Sequence, residues 1–259
     1  MTKQSQPEQQ PTRLGKHREP RRFDQTQLHA SSSGRAVGRD YAAHFFRWAW
    51  ITRQIKAGQK ILDIGCGQDV PLVRVLTPKV NQLPKLYVGV DLNRILKPTK
   101  IAWTRIVDQF SFVDDYLKLW KRTGMEKDEK FDAAVCLEVI EHMQPADGRK
   151  LLKGAFHLVR PGGYLYLSTP VFSGKAAVNH IHEHTIPELQ KLVESVGWIV
   201  EKRFGTFARI NDIKKVASKE EWAVLQRIGE YYNNEVLSIF LSPLYPDSAS
   251  NNLWCLRRP

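Results

Sequence analysis

The 259-residue chain is 42% hydrophobic and 25% charged, with a formal net charge of +12 and a pI near 9.6. That is ordinary globular composition, enough for one large α/β domain with attachments. No apolar run approaches the ~20 residues a membrane span needs, and three scattered cysteines, Cys66, Cys136 and Cys255, form neither a CxxC pair nor a disulfide framework, so no membrane partner and a reducing cytoplasm are expected.

Residues 1–38, rich in Gln, Pro, Ser, Lys and Arg, lack hydrophobic periodicity and read as a disordered basic tail. They also lack the apolar core of a secretory signal. The net charge of +12 favours polyanionic partners such as nucleic acid, and "KHREPRR" (16–22) in this tail either offers such a partner phosphate contacts or is simply solvated. The domain then runs over 39–259. "YAAHFFRWAWITRQI" is apolar all round at helical spacing and predicts a helix packed on a core. "QKILDIG" predicts a buried strand, and "VPLVRVL" a short helix after a glycine turn. "KLYVGVDLN" predicts a second strand with Asp91 at its carboxyl end. "FSFVDDYL" reads as a third strand edge, "FDAAVCLEVI" as a fourth strand and "GYLYLSTP" as a fifth. Between the last two, "PADGRKLLKGAFHLVRPGG" predicts a helix closed by a Pro-Gly-Gly turn. "HTIPELQKLVESVG" opens on a Thr185–Glu188 capping box and ends at Gly197. "WIVEKRFG" and "NLWCLRR" are two closing strands around a helical insertion at about 211–246.

Strands alternating with helices predict a mostly parallel sheet with helices on both faces, carrying an antiparallel edge. In such a sheet, ligands lie at the carboxyl ends of the strands. Gly65 and Gly67 fall at the end of the first strand, where glycine lets a ligand approach bare backbone. Asp63 precedes them, and Asp91 is placed to accept both hydroxyls of a ribose. "GCGQDV" lacks the third glycine of the dinucleotide fingerprint, which disfavours NAD.

"ILDIGCG", "VGVDLN", "FDAAVCLEVIEHM" and "LVRPGGYLYLSTP", in that order, resemble the successive motifs of class I S-adenosylmethionine-dependent methyltransferases over roughly residues 45–205. The resemblance implies a Rossmann-like seven-stranded sheet with a reversed final hairpin, and S-adenosyl-L-methionine as cofactor. It implies that Asp63, Gly65 and Gly67 line the methionine moiety, with Cys66 between them, and that Asp91 holds the ribose beside Leu92. Asp114, in preference to Asp115, would meet the adenine amino group. Leu137 and Glu138 would face cofactor or substrate.

Methyl transfer from a sulfonium is an in-line displacement in which protein groups align the partners, and a protic nucleophile calls for a general base, usually histidine. Two clusters compete. Glu138, Glu141 and His142 would share a face if helical. His180, His182 and His184 would share one if extended. His142, Glu138 and His182 are therefore the catalytic candidates. The same groups could bind a divalent metal. "LEVIEH" resembles an element of small-RNA 3′-end 2′-O-methyltransferases, and also of quinone and other small-molecule methyltransferases. No metal is assigned. DNA amino-methyltransferases are disfavoured because no Asp/Asn-Pro-Pro-aromatic element follows the fourth strand. Cytosine-C5 enzymes are disfavoured because no Pro-Cys occurs. Trp222, Tyr231, Tyr232 and Phe240 would give the insertion an aromatic lid surface or plain core. The expected reaction is methylation of an oxygen or nitrogen on a small molecule or nucleotide. Nucleic-acid methylation, including metal-dependent RNA 2′-O-methylation, is the alternative.

Overall fold

The computed structural model describes residues 39–79, 81, 83–95 and 101–259; the basic tail lies outside them. Seven strands form one sheet: β1 (Lys60–Ile64), β2 (Leu86–Val90), β3 (Thr104–Val107), β4 (Phe131–Leu137), β5 (Val159–Pro170), β6 (Ile199–Ala208) and β7 (Ala249–Arg257). Their order is β3-β2-β1-β4-β5-β7-β6. The strands from β3 to β5 run parallel, and β7 lies antiparallel between β5 and β6. This is the Rossmann-like sheet with a reversed C-terminal hairpin. Strand order turns back between β1 and β4, and a crevice opens at their carboxyl ends.

Nine helices surround the sheet among the described residues: α1 (Arg39–Gln54), α2 (Pro71–Leu76), α3 (Phe112–Asp115), α4 (Leu119–Thr123), α5 (Pro145–Leu158), α6 (Ile186–Val196), α7 (Ile210–Val216), α8 (Lys219–Gly229) and α9 (Asn234–Leu241). The period-two alternation of the strands assigns them to faces. Leu62, Ile64, Val88 and Val90 point to a core shared with Leu151, Leu152 and Leu158 of α5 and Leu189 and Val193 of α6. Ile61, Tyr87 and Val135 point the other way, onto Ile51 of α1 and Leu72, Val73 and Leu76 of α2. The helix α6 begins with the complete Thr185–Glu188 capping box and ends at Gly197 in the left-handed region.

Two sequence expectations fail. Residues 159–163, expected to close the helix in a Pro-Gly-Gly turn, instead open β5, and α5 stops at Leu158. "FSFVDDYL" is not a strand: it is α3 followed by a 3-10 turn, Tyr116–Lys118. Phe112 and Tyr116, four residues apart, pack against one another and against Gly154 of α5, which is helical spacing. The third strand is the earlier "TRIV". The segment between β6 and β7 forms α7, α8 and α9. Trp222 of α8 packs in a small core with Ile213 and Leu225, whereas Tyr231, Tyr232 and Phe240 are exposed.

Candidate active site

The turn after β1 is built from backbone. Gly65 and Gly67 have φ of 72° and 74°, a region costly for residues with a Cβ. A Cβ on Gly65 would also lie 2.4 Å from Cγ2 of Val139. The Gly65 and Cys66 amides both donate to the Val90 carbonyl, at 2.8 and 3.1 Å. Asp91, the next residue, accepts from the Gly67 amide at 2.9 Å and from the Asn93 amide at 2.8 Å. The tips of β1 and β2 are thus laced together, and the Asp91 carboxylate is fixed beside the glycine turn. The Cys66 thiol is buried in the core, so only its backbone belongs to the turn; burial, reinforced by the charges of Asp63 and Asp91, raises its pKa. Leu92 stands exposed just beyond.

Asp63 lies beneath this turn, buried, on the same face as Tyr87, whose hydroxyl donates to it at 2.5 Å. Burial pushes its carboxyl up from 3.8 to about 7; the Tyr87 hydrogen bond opposes this and the charge of Asp91 adds to it. The folded state therefore binds a proton that the unfolded chain releases near 3.8. This contribution to stability is whole below that pH and is lost as pH rises through about 7. Each unit is worth ~1.4 kcal/mol, which bounds the loss at roughly 4 kcal/mol. We expect Asp63→Asn to flatten the stability profile between pH 4 and about 7 in denaturant titrations. An unchanged slope would contradict this origin.

At the edge of the sheet, β3 ends at Val107 and Asp108 follows. Asp108 accepts from the Ile95 amide at 3.1 Å, while the Phe110 amide donates to the Asp91 carbonyl at 3.0 Å. Asp114 lies farther along, exposed in α3, accepting from the Ser111 hydroxyl at 2.6 Å.

The tip of β4 carries the second half of the site. Leu137 is its last residue, half-buried. Glu138 adopts φ 59°, and its carboxylate is fully engaged. Ser168 donates to Oε1 at 2.6 Å, Asn251 Nδ2 donates to both oxygens at 3.1 and 2.9 Å, and Arg47 of α1 lies 3.8 Å away. Burial alone would raise this group, but Arg47 and the donors outweigh it and hold its pKa below the ordinary value. Glu141 goes the opposite way, pushed up to about 8 by burial and by the charge of Glu138. Its Oε2 accepts from Thr169 at 3.2 Å. A 3-10 turn, Ile140–His142, leaves the His142 ring exposed, with Nδ1 3.0 Å from the Asn179 carbonyl. His142 and His180 meet edge to face, ring centres 5.1 Å apart.

A family model described as a methyltransferase domain matches residues 38–227. The chain belongs to the class I S-adenosylmethionine-dependent methyltransferases. The ubiquinone biosynthesis O-methyltransferase of Pseudomonas fluorescens strain SBW25 is 28% identical over 121 residues, 46% of this chain and 48% of that enzyme. The match thus spans about half of the relative's length. In fold, the chain resembles a SAM-dependent methyltransferase from Archaeoglobus fulgidus, with TM-score 0.56, 18% identity, and 86% and 95% of the two chains covered. It also resembles Burkholderia thailandensis 1,6-didemethyltoxoflavin-N1-methyltransferase, crystallised with 1,6-didemethyltoxoflavin and S-adenosylhomocysteine. That pair has TM-score 0.52 and 16% identity, covering 85% and 79%.

In this methyltransferase, Asp63, Gly65, Gly67 and Asp91 gather at one crevice, with Leu137, Glu138 and His142 across from them at the β4 tip. Two of the expected groupings fail. Glu138, Glu141 and His142 do not share a helical face: left-handed Glu138 turns toward β7, and the following 3-10 turn sends Glu141 to Thr169 and His142 to Asn179. Nor do the three later histidines share an extended face. His182 packs against His184, ring centres 4.4 Å apart, and it is His180 that joins His142. Sequence reasoning missed Asp108, Arg47 and Asn251. Asp108 had a local signal, an acid directly after "TRIV"; the other two had none. A cleft of about 640 Å³ in the methyltransferase, lined by Trp50, Tyr164, Tyr166 and Arg160, lies toward the opposite, amino ends of β4 and β5, away from this crevice. Among the described residues no helix is long and apolar enough to cross a membrane.

Proposed function

We propose that this methyltransferase transfers the methyl group of S-adenosyl-L-methionine to an oxygen or nitrogen of a small, partly apolar acceptor. The observation that carries the reading is the junction of the glycine turn with Asp91. It presents bare, positive-φ backbone next to a carboxylate clamped by the Gly67 amide. Asp91 would accept from the ribose hydroxyls. The Gly65–Gly67 backbone would face the amino-acid end of the cofactor, with Cys66 contributing only its backbone, Asp63 supporting from beneath and Leu92 at the rim. Asp108 suits the adenine end better than Asp114, because it directly follows the β3 tip beside Asp91.

In the reaction, an acceptor lone pair forms a bond to the methyl carbon as the carbon–sulfur bond breaks. Neutral S-adenosylhomocysteine leaves, and the acceptor sheds a proton. The work of the protein is alignment. Glu138, whose pKa Arg47 and its donors hold below the ordinary value, anchors the β4 tip and is a weak base for that proton. The corner of Glu141, His142 and His180 is where the reacting acceptor atom would be received; the His182 ring packs on His184 instead. Phe46 of α1 and Phe240 of α9 meet edge-on with ring centres 5.1 Å apart, and with exposed Phe45 they form the apolar surface that would receive the apolar part of the acceptor.

Calorimetric titration with S-adenosylmethionine tests the cofactor half. Asp91→Ala is expected to weaken binding roughly 10- to 100-fold, the loss of a charge-assisted hydrogen bond pair worth ~1.5–3 kcal/mol. Equal heats for the two proteins would refute the site. Mass spectrometry of metabolite and nucleic-acid extracts, incubated with methyl-labelled cofactor, tests the acceptor half. Label confined to nucleic acid would replace the small-molecule acceptor, an outcome that the +12 charge makes worth reading in the same experiment.

A further inference from the structure

Three ligand-type groups meet beyond the β4 tip. One donor atom from each of Glu141, His142 and His180 lies within 4.8 Å of the other two. They come from two separate segments, the 3-10 turn after β4 and the connection after β5. These segments are tied by backbone: the Ile181 and His182 amides both donate to the Glu141 carbonyl, at 2.8 and 3.1 Å.

The two rings are held in a defined tautomer. His142 Nδ1 faces the Asn179 carbonyl, which can only accept, so Nδ1 carries the proton and the lone pair is left on Nε2. His180 Nδ1 lies 2.5 Å from Oε1 of buried Glu183, with the same consequence. Oε1 of Glu183 is itself fixed by the Ala177 amide at 3.0 Å. An imidazole whose far nitrogen donates to a carbonyl or carboxylate is the arrangement that orients metal-binding histidines and raises their basicity.

The third group independently calls for a ligand. Glu141 is only 1% exposed, and its Oε1 is a buried oxygen with no hydrogen-bond partner. Carboxylate oxygens withdrawn from water require a compensating partner. Glu138 does not compete for the role, since Ser168 and Asn251 already occupy its oxygens.

We infer that Glu141, His142 and His180 bind one divalent cation of the borderline class, such as zinc, cobalt or nickel, at the acceptor side of the crevice. Two imidazole nitrogens and one carboxylate oxygen suit such ions better than magnesium or calcium, which prefer all-oxygen shells. Three protein ligands leave coordination positions open, as sites that receive a substrate atom require. The functional consequence, orientation of an acceptor oxygen or nitrogen, rests on the methyl-transfer reading; the binding itself does not.

The test uses the full chain, stripped of metal and titrated with cobalt(II), whose visible absorption reports nitrogen and oxygen ligation. One equivalent should bind with a visible band, and zinc should displace it. His142→Ala, on an exposed ring, and His180→Ala should each weaken cobalt binding by at least about 100-fold. Glu183→Gln, which loosens only the orienting contact, should weaken it ~10- to 100-fold. Circular dichroism confirms that each variant is folded. Absence of a cobalt band in the wild-type protein, or equal affinity in His142→Ala, would overturn the site. Cofactor calorimetry is run alongside, so loss of the methyl-transfer reading shows as missing heat with S-adenosylmethionine while the cobalt band persists.

Discussion

Gly65→Ala will remove measurable S-adenosylmethionine binding and lower the melting temperature by roughly 4–20 °C. Two costs add. The residue holds φ 72°, where a Cβ costs ~1–2 kcal/mol. That Cβ would also arrive 2.4 Å from Cγ2 of Val139, directly after the β4 tip, and overpacking of this kind typically costs ~1–3 kcal/mol. For a domain of this size, each kcal/mol lowers the melting temperature by ~2–4 °C. Binding suffers more than stability, because the Gly65 and Cys66 amides anchor on the Val90 carbonyl and the Gly67 amide on Asp91. A turn that shifts to clear Val139 moves the backbone that must face the cofactor. The double variant Gly65→Ala/Val139→Ala separates the two costs. It should recover the packing part of the melting temperature but leave the left-handed strain, so calorimetric binding returns only in part. Undiminished binding in the single variant would mean that the cofactor does not approach this turn.

Where the fold was legible in sequence, the reason is burial on both faces. Central strands β1, β2 and β4 carry near-continuous apolar runs, "KILDI", "LYVGV" and "FDAAVCL", and turn residues bracket them. β3 was missed because it is a four-residue edge strand, Thr104–Val107, with Arg105 exposed. The alternation of Phe110 and Phe112 just after it imitates a strand, while the contacts of Phe112 with Tyr116 and α5 are helical. Placing the third strand at "FSFVDDYL" confines the adenine-side candidates to Asp114 and Asp115, whereas the observed strand end puts Asp108 beside Asp91. Asp63 and Asp91 could be found because they adjoin strand ends and need only local spacing. Arg47 and Asn251 could not: they are 204 residues apart and meet at 3.4 Å between α1 and β7, a relation no local pattern encodes. The histidine pairing was hidden similarly. Even spacing of His180, His182 and His184 suggests a shared face, but the backbone bonds of residues 181 and 182 to the Glu141 carbonyl turn this segment away from extended geometry.

Arg47 is the missed residue with the largest expected effect on folding. It is 2% exposed on α1, contacts Thr206 at 3.2 Å and His44 at 2.9 Å, and stands 3.8 Å from the Glu138 carboxylate. Removing one partner of a buried ion pair strands the other charge, at a cost of ~3–5 kcal/mol. The Glu138 side chain is 19% exposed and keeps its Ser168 and Asn251 donors, which places Arg47→Met near the lower end, about 3 kcal/mol. The sign with pH follows from Glu138, whose folded pKa is held below its ordinary 4.5. Its contribution to stability is present above that value and is lost as pH falls through the depressed one. The gap between wild type and Arg47→Met, measured by denaturant titration, should therefore be full at pH 7 and narrow below 4.5. Glu138→Gln in the Arg47→Met background removes the stranded charge and should restore more than half of the lost stability, since the amide oxygen can still accept from Ser168 and Asn251. A gap that is flat with pH, or a double variant no better than the single one, would assign the effect to lost packing of the arginine stem and leave Glu138 without an electrostatic anchor on α1.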